Sequence, residues 1–227
     1  MNILIFGATG MVGQGVLREC LQARDVTRVV AVGRQSTRLV HERLAEIVVA
    51  DLSRLEAHRD RLAPFDACFF CLGVSSLGMN EADYTRITYD LTLSVARLLA
   101  RENPQMTFTY VSGAGTDSSG MGNRMWARVK GRTENALCTL GFKGAYMFRP
   151  GVIQPLHQVQ SKKALYRAAY VVAKPWFGIM SKFWPRSIVT SEQVGLAMLG
   201  VARRGYPRAV LEVPDIQDAA NFSDLVT

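Results

Sequence analysis

Apolar runs of five or six residues recur through the first two-thirds of the chain. The segments between them carry apolar positions every three or four residues. Runs that do not alternate with polar residues suit strands covered on both faces, whereas a 3.6-residue period marks helices with one buried side. The pattern predicts strands at 2–6, 28–32, 46–50, 67–71, 106–111 and 144–148, and helices at 11–23, 53–61, 81–102 and 123–140. A further helix opens near Ser191, with Glu192 in its first turn, and a last strand runs from Ala209 to Val213. Such alternation predicts an α/β fold, a doubly wound parallel sheet with helices on both faces and ligands bound beyond the carboxyl ends of its strands. With 227 residues and no linker-like stretch, 1–227 reads as one domain, with residues 152–227 forming a small helical C-terminal elaboration on the substrate side.

The first strand breaks into Gly7-Ala8-Thr9-Gly10-Met11-Val12-Gly13 and resumes as an amphipathic helix. Glycines spaced three apart at a strand-to-helix turn make a dinucleotide cradle. Gly7 allows the sharp turn, Gly10 the approach of backbone to a pyrophosphate, and Gly13 the packing of the helix on the sheet. The helix N-terminus adds unpaired N–H groups and a positive dipole end.

Later strand ends refine that expectation. After Val32-Gly33 stands Arg34, where a site preferring NAD usually has an acid, so NADP(H) is expected, with Arg38 as a second cation. Asp51 is placed to accept from the adenine amino group, to cap the next helix, or to do both at once, and Leu52 to pack on the ring. Cys71-Leu72-Gly73 brings a third glycine to the coenzyme, and Val74 to Met79 reads as a substrate-side loop. Cys68 and Cys71 match C-x-x-C on paper, but inside an apolar strand they read as packed thiols. The three histidines have no metal-binding spacing.

These features together with Ser112 after strand five, Lys130-Gly131 and Arg149-Pro150-Gly151 resemble the atypical short-chain dehydrogenase/reductase family, in particular its TIP30-like (HTATIP2-like) NAD(P)-binding members. The resemblance covers most of the chain. It implies a Rossmann fold with strand order 3-2-1-4-5-6, bound NADP(H), Ser112 orienting substrate, Lys130 holding the nicotinamide ribose, and Arg149 and Pro150 at the coenzyme. In that family a tyrosine four residues before the lysine exchanges the proton. Here the position holds Trp126, whose indole donates a hydrogen bond but does not shuttle a proton near neutral pH. Carbonyl reduction would then need Tyr84, Tyr110 or a water, and Trp126 would be either a core residue or a lid on the nicotinamide. The function expected is that of an oxidoreductase. The alternatives are an NADP(H)-binding sensor without turnover, and a quinone or flavin reductase at a membrane surface.

Charge is uneven. From Lys143 to Arg208 there are eleven Lys or Arg and one acid, Glu192. Residues 161–186 interleave this charge with aromatics, and Pro175 and Pro185 break them into short helices. A cap over an anionic or aromatic small-molecule substrate, a membrane-surface helix or a protein interface would each use that face. No nucleic-acid motif accompanies the charge, which argues against a nucleic-acid partner. Without a secretory pattern or a spanning apolar run, the expectation is a soluble, cytoplasmic protein.

Overall fold

The computed structural model describes residues 1–156 and 187–221. Seven parallel strands form one sheet. They are β1 (Asn2–Phe6), β2 (Arg28–Gly33), β3 (Leu44–Val48), β4 (Ala67–Phe70), β5 (Thr107–Val111), β6 (Gly144–Phe148) and, after the small pair β7 (Val152–Gln154) and β8 (Ile188–Thr190), β9 (Val210–Leu211). Their spatial order is β3-β2-β1-β4-β5-β6-β9, so the order implied by the resemblance holds and β9 adds a seventh strand beyond β6. The order reverses between β1 and β4, which leaves a crevice at their carboxyl ends.

Alternate residues of the central strands divide the core. Ile3, Ile5 and Phe69 face α1 (Met11–Gln22), α5 (Ser191–Arg204) and α6 (Val213–Asn221), while Leu4, Phe6, Cys68 and Phe70 face α3 (Leu91–Glu102) and α4 (Met125–Leu137). Both faces are dry, which is why these strands read as continuous apolar runs. Cys68 and Cys71 fall on opposite sides of the sheet, and burial pushes the Cys71 thiol up to about 12, so the pair is packing and not a redox couple.

Several expected boundaries move. The third strand starts at Leu44 rather than 46, because half-exposed edge residues join its ladder, with Leu44 opposite Val29 and Glu46 opposite Ala31. The helix expected at 53–61 is a 3-10 helix, Leu52–Arg61, kinked at Arg54 and capped by Asp51, whose carboxylate accepts from the Ser53 amide at 3.0 Å. The helix expected at 81–102 is three segments, α2 (Glu81–Thr85), a π-helical turn (Arg86–Asp90) and α3. Helix α6 has no counterpart among the expected elements, and Pro214 stands in its first turn. A proline in a first helical turn loses no intrahelical bond, so the helix forms.

The C-terminal part returns to the core. Thr190 and Gln193 close a capping box at the start of α5, which packs on α1 and α6. The expected short helices at 161–186 lie outside the described residues.

One polar device fastens α3 to the sheet. Asn103, buried, accepts from the Phe65 amide at 2.9 Å and donates to the Leu62 carbonyl at 2.7 Å. Asn103→Ala would strand two buried backbone groups and is expected to cost about 2–4 kcal/mol, read as a drop in the urea midpoint at unchanged slope.

Candidate functional site

The turn between β1 and α1 is pressed against the end of β4. Gly7 has φ +81°, and a Cβ there would lie 2.8 Å from the Cys71 carbonyl carbon and the Leu72 amide nitrogen. A Cβ on Gly13 would lie 2.1 Å from the Gly7 carbonyl oxygen. Only hydrogens fit at either place, so the glycines are required before any ligand arrives. The Gly10 amide donates to the Gly7 carbonyl at 2.9 Å and Gln14 Nε2 to the Thr9 carbonyl at 3.1 Å, fixing the loop. Gly10 is the N-cap of α1, which therefore has no side-chain cap, and no acid stands in its first turn.

A groove of about 500 Å³ opens above this turn, lined by Gly7, Ala8, Thr9, Gly10, the β2 end from Ala31 to Gln35, Thr37, and Cys71, Leu72 and Gly73. Gly73 has nothing within 4 Å of its would-be Cβ, so a side chain there would meet only the groove. Met11 and Val12 contribute helix backbone rather than groove wall, with Val12 packed on the core. Arg34 is exposed on the groove wall and makes no ion pair among the described residues. An uncapped helix end and a glycine-lined floor suit the pyrophosphate of a dinucleotide.

Asp51 and Leu52 are not among the residues that line this groove. Asp51 is exposed and caps its helix through Ser53, and Leu52 is buried in the core. The sequence reading missed Gln35 and Thr37 as lining residues. Their signal was the polar run directly after β2.

The second part of the site lies at the ends of β5 and β6. Lys130 Nζ donates to the Ser112 carbonyl oxygen. The Lys130-Gly131 pair has a steric cause, since a Cβ on Gly131 would sit 1.7 Å from the Asp117 carbonyl oxygen, so the loop after β5 lies directly on α4. Burial draws the Lys130 ammonium down to about 8, opposed by the carboxylate of Glu134 one helical turn on. Ser112 Oγ is turned to the protein, donating to the Phe148 carbonyl at 3.1 Å.

Arg149 is braced rather than open to a ligand. Its Nε donates to Glu134 at 3.1 Å, its Nη1 to Glu212 at 3.1 Å and its Nη2 to Ser118 and Glu134. It thereby ties β6 to the helix carrying Lys130. The Pro150 carbonyl accepts from the Ala114 amide at 2.8 Å. Trp126 is half-buried, with its ring edge 3.7 Å from a would-be Cβ on Gly115, so it belongs to the rim of the loop after β5 and not to the core.

The two tyrosines expected as substitute proton sources are both buried. Tyr84 is raised by burial, partly offset by a hydrogen bond with Thr88, and Tyr110 is raised far by burial deep in the core beside Thr133. Neither reaches the groove. No metal-binding cluster occurs among the described residues, and none of their helices is long and apolar enough to cross a membrane.

The architecture is that of a Rossmann-type α/β protein with its ligand groove at the β1/β4 switch point. The sequence profile of the NAD dependent epimerase/dehydratase family matches residues 3–119, about half of the chain, and the chain belongs to that family. Within it the relatives are those of the atypical short-chain group. The protein fmp52 of Emericella nidulans is 27% identical over 191 residues, 80% of this chain and 76% of the relative. Protein HTATIP2 of Rattus norvegicus is 26% identical, over 81% of this chain and 73% of its own. Among solved structures, WbmF of Bordetella bronchiseptica in complex with NAD+ superposes with a TM-score of 0.67 at 13% identity, covering 100% of this chain and 78% of that one. A short-chain dehydrogenase/reductase of Saccharomyces cerevisiae superposes with a TM-score of 0.67 at 16% identity, covering 97% and 98%.

These relatives correct one expectation. The fmp52 proteins of Emericella nidulans and Aspergillus oryzae are named mitochondrial, so the cytoplasmic location expected from the sequence does not stand.

Lys130 gives the site a measurable signature. Its folded value of about 8 lies below its unfolded value of 10.5, so between these pH values the unfolded chain holds a proton that the folded chain has released. Lys130 therefore makes folding more favourable as pH rises through that window. The stability difference between wild type and Lys130→Met, from urea melts at several pH values, is expected to move in favour of wild type from pH 8 to pH 10. A flat difference would place the ammonium in water.

Proposed function

We propose that the chain is an NADP(H)-dependent oxidoreductase acting on a small apolar or aromatic substrate that carries an anionic group. The observation that supports this most is Arg34, on the wall of the glycine-floored groove where an acid would favour NAD. In this reading the pyrophosphate lies along Gly7 to Gly10 at the N-terminus of α1, and Arg34 makes paired, charge-assisted bonds to the 2′-phosphate. Cys71, Leu72 and Gly73 give the backbone wall opposite. Lys130 binds the nicotinamide ribose as its ammonium, held in place by the Ser112 carbonyl and by the Glu134–Arg149 brace.

The coenzyme supplies the hydride. Trp126 occupies the place of the usual proton donor and cannot serve as one, and Tyr84 and Tyr110 are sealed in the core. Acceptors that take their proton from water, such as a quinone or a flavin, suit this arrangement. A second reading, an NADP(H)-binding sensor without turnover, is favoured by the same Trp126 and by Ser112 Oγ being engaged with the Phe148 carbonyl.

Titration of the cofactor-stripped protein with NADPH and NADH, followed by tryptophan quenching, tests the binding. NADPH is expected to bind at least about tenfold tighter, and Arg34→Ala to weaken NADPH by about 10- to 100-fold while leaving NADH unchanged, as loss of a charge-assisted pair requires. Binding of neither nucleotide overturns the proposal. NADPH oxidation with a quinone panel then separates the two readings. An enzyme consumes NADPH and Lys130→Ala abolishes that consumption, whereas a sensor consumes none.

A further inference from the structure

Glu46 is an acid on an unusual face. On β3 it stands opposite Ala31 of β2, on the side of the sheet that α1 covers, between the core-packed Leu44 and the strand end. A carboxylate in such a position needs donors, and among the described residues it finds them in the segment after β2. Its Oε1 accepts from the Thr37 amide at 2.7 Å and from Thr37 Oγ1 at 2.6 Å, and Ser36 stands immediately before Thr37 in the chain. Those two residues hold the next two. Ser36 Oγ accepts from the Arg38 amide at 3.0 Å, and Thr37 Oγ1 accepts from the Leu39 amide at 3.2 Å. Arg38 is thereby kept at φ +63°, a left-handed backbone that a non-glycine residue holds only when its surroundings impose it.

This segment is a wall shared by two adjoining cavities. Gln35 and Thr37 line the coenzyme groove directly after Arg34. The same two residues, with Arg38 and His41, line a neighbouring compartment of about 970 Å³ against α1, and the two spaces also share Ala8 and Thr9. Among the described residues no acid lines either space, yet Glu46 lies within hydrogen-bond reach of a residue that lines both. A carboxylate free to swing toward Arg34 or Arg38 would neutralise the cation and repel a phosphate.

We propose that Glu46 is a positioning residue for coenzyme selectivity. Latched by the Thr37 amide and hydroxyl, it fixes the segment that carries Arg34 and Arg38 on the walls of the two adjoining cavities, and its own charge is spent on that latch instead of facing a 2′-phosphate. The inference rests on the NADP(H) reading above. It reaches further, because it assigns selectivity to a residue that touches no coenzyme. A merely structural Glu46, an inward charge that blunts an edge strand against pairing with another chain, would lower stability without touching the ratio of the two affinities.

The test is the ratio of NADPH to NADH dissociation constants, measured with thermal midpoints for wild type, Glu46→Ala, Glu46→Gln and Thr37→Val. Glu46→Ala is expected to weaken NADPH about tenfold, the loss of one charge-assisted contact, and to change NADH less than about twofold. Glu46→Gln keeps an acceptor for the Thr37 amide and should recover part of the ratio. Thr37→Val removes one hydroxyl at nearly constant volume, so it carries the test if Glu46→Ala does not fold, and it should fall between wild type and the alanine variant. A wild-type preference for NADPH that survives all three substitutions, or equal losses for the two nucleotides, overturns the latch alone. A wild type without preference whose Arg34→Ala variant binds identically overturns the NADP(H) reading and the latch with it.

Discussion

Backbone contact at the switch point governs this structure. The turn after β1 must pass under the end of β4 while α1 starts immediately behind it, and at Gly7 and Gly13 the approach is closer than any side chain allows. That contact places the uncapped N-terminus of α1 at the carboxyl edge of the sheet, where the strand order reverses and a groove exists. Fold and ligand site are thus the same constraint. Substituting either glycine would move the helix away from the sheet before it changed any contact to a ligand.

The other half of the site is governed by buried charge. Lys130, Glu134 and Arg149 form a chain of ionisable groups between α4 and β6, and Glu134 and Arg149 are almost wholly buried. Such a group is costly to assemble and more costly to break, since removing one member leaves its partner uncompensated. Glu212 and Ser118 complete the bonding of Arg149 and extend the brace to β9 and the loop after β5. The ammonium of Lys130 is held near its protonation threshold by burial, with Glu134 keeping it from falling further. Its carbonyl partner, Ser112, is fixed in turn by β6 through the Phe148 carbonyl.

Much of the fold was legible because parallel, doubly covered strands leave a signal that does not depend on partners. Six runs of apolar residues gave the six strands of the core, five of them within one residue at each end and β3, an edge strand whose half-exposed pattern hid its start, displaced by two. The glycine turn was legible for the same local reason, since a positive φ and a steric conflict are properties of one short segment. Arg149 was legible as a residue of interest but not in its role. Its partners Glu134 and Glu212 lie 15 and 63 residues away in sequence, and nothing local distinguishes an arginine that grips carboxylates from one that grips a phosphate.

The sequence by itself determined the class of fold and the position of the dinucleotide turn, because each is written in residue type and short-range spacing. Only the tertiary structure decided which side chains are spent on the protein: Asp51 on a helix cap, Leu52 in the core, Ser112 Oγ on a strand carbonyl, Tyr84 and Tyr110 in the interior. It alone brought Glu46 under the segment after β2 and set Arg34 on an open wall. The physical reason is that whether a polar group is available depends on what lies within about 3 Å of it, and for most of these groups that neighbour comes from a distant part of the chain.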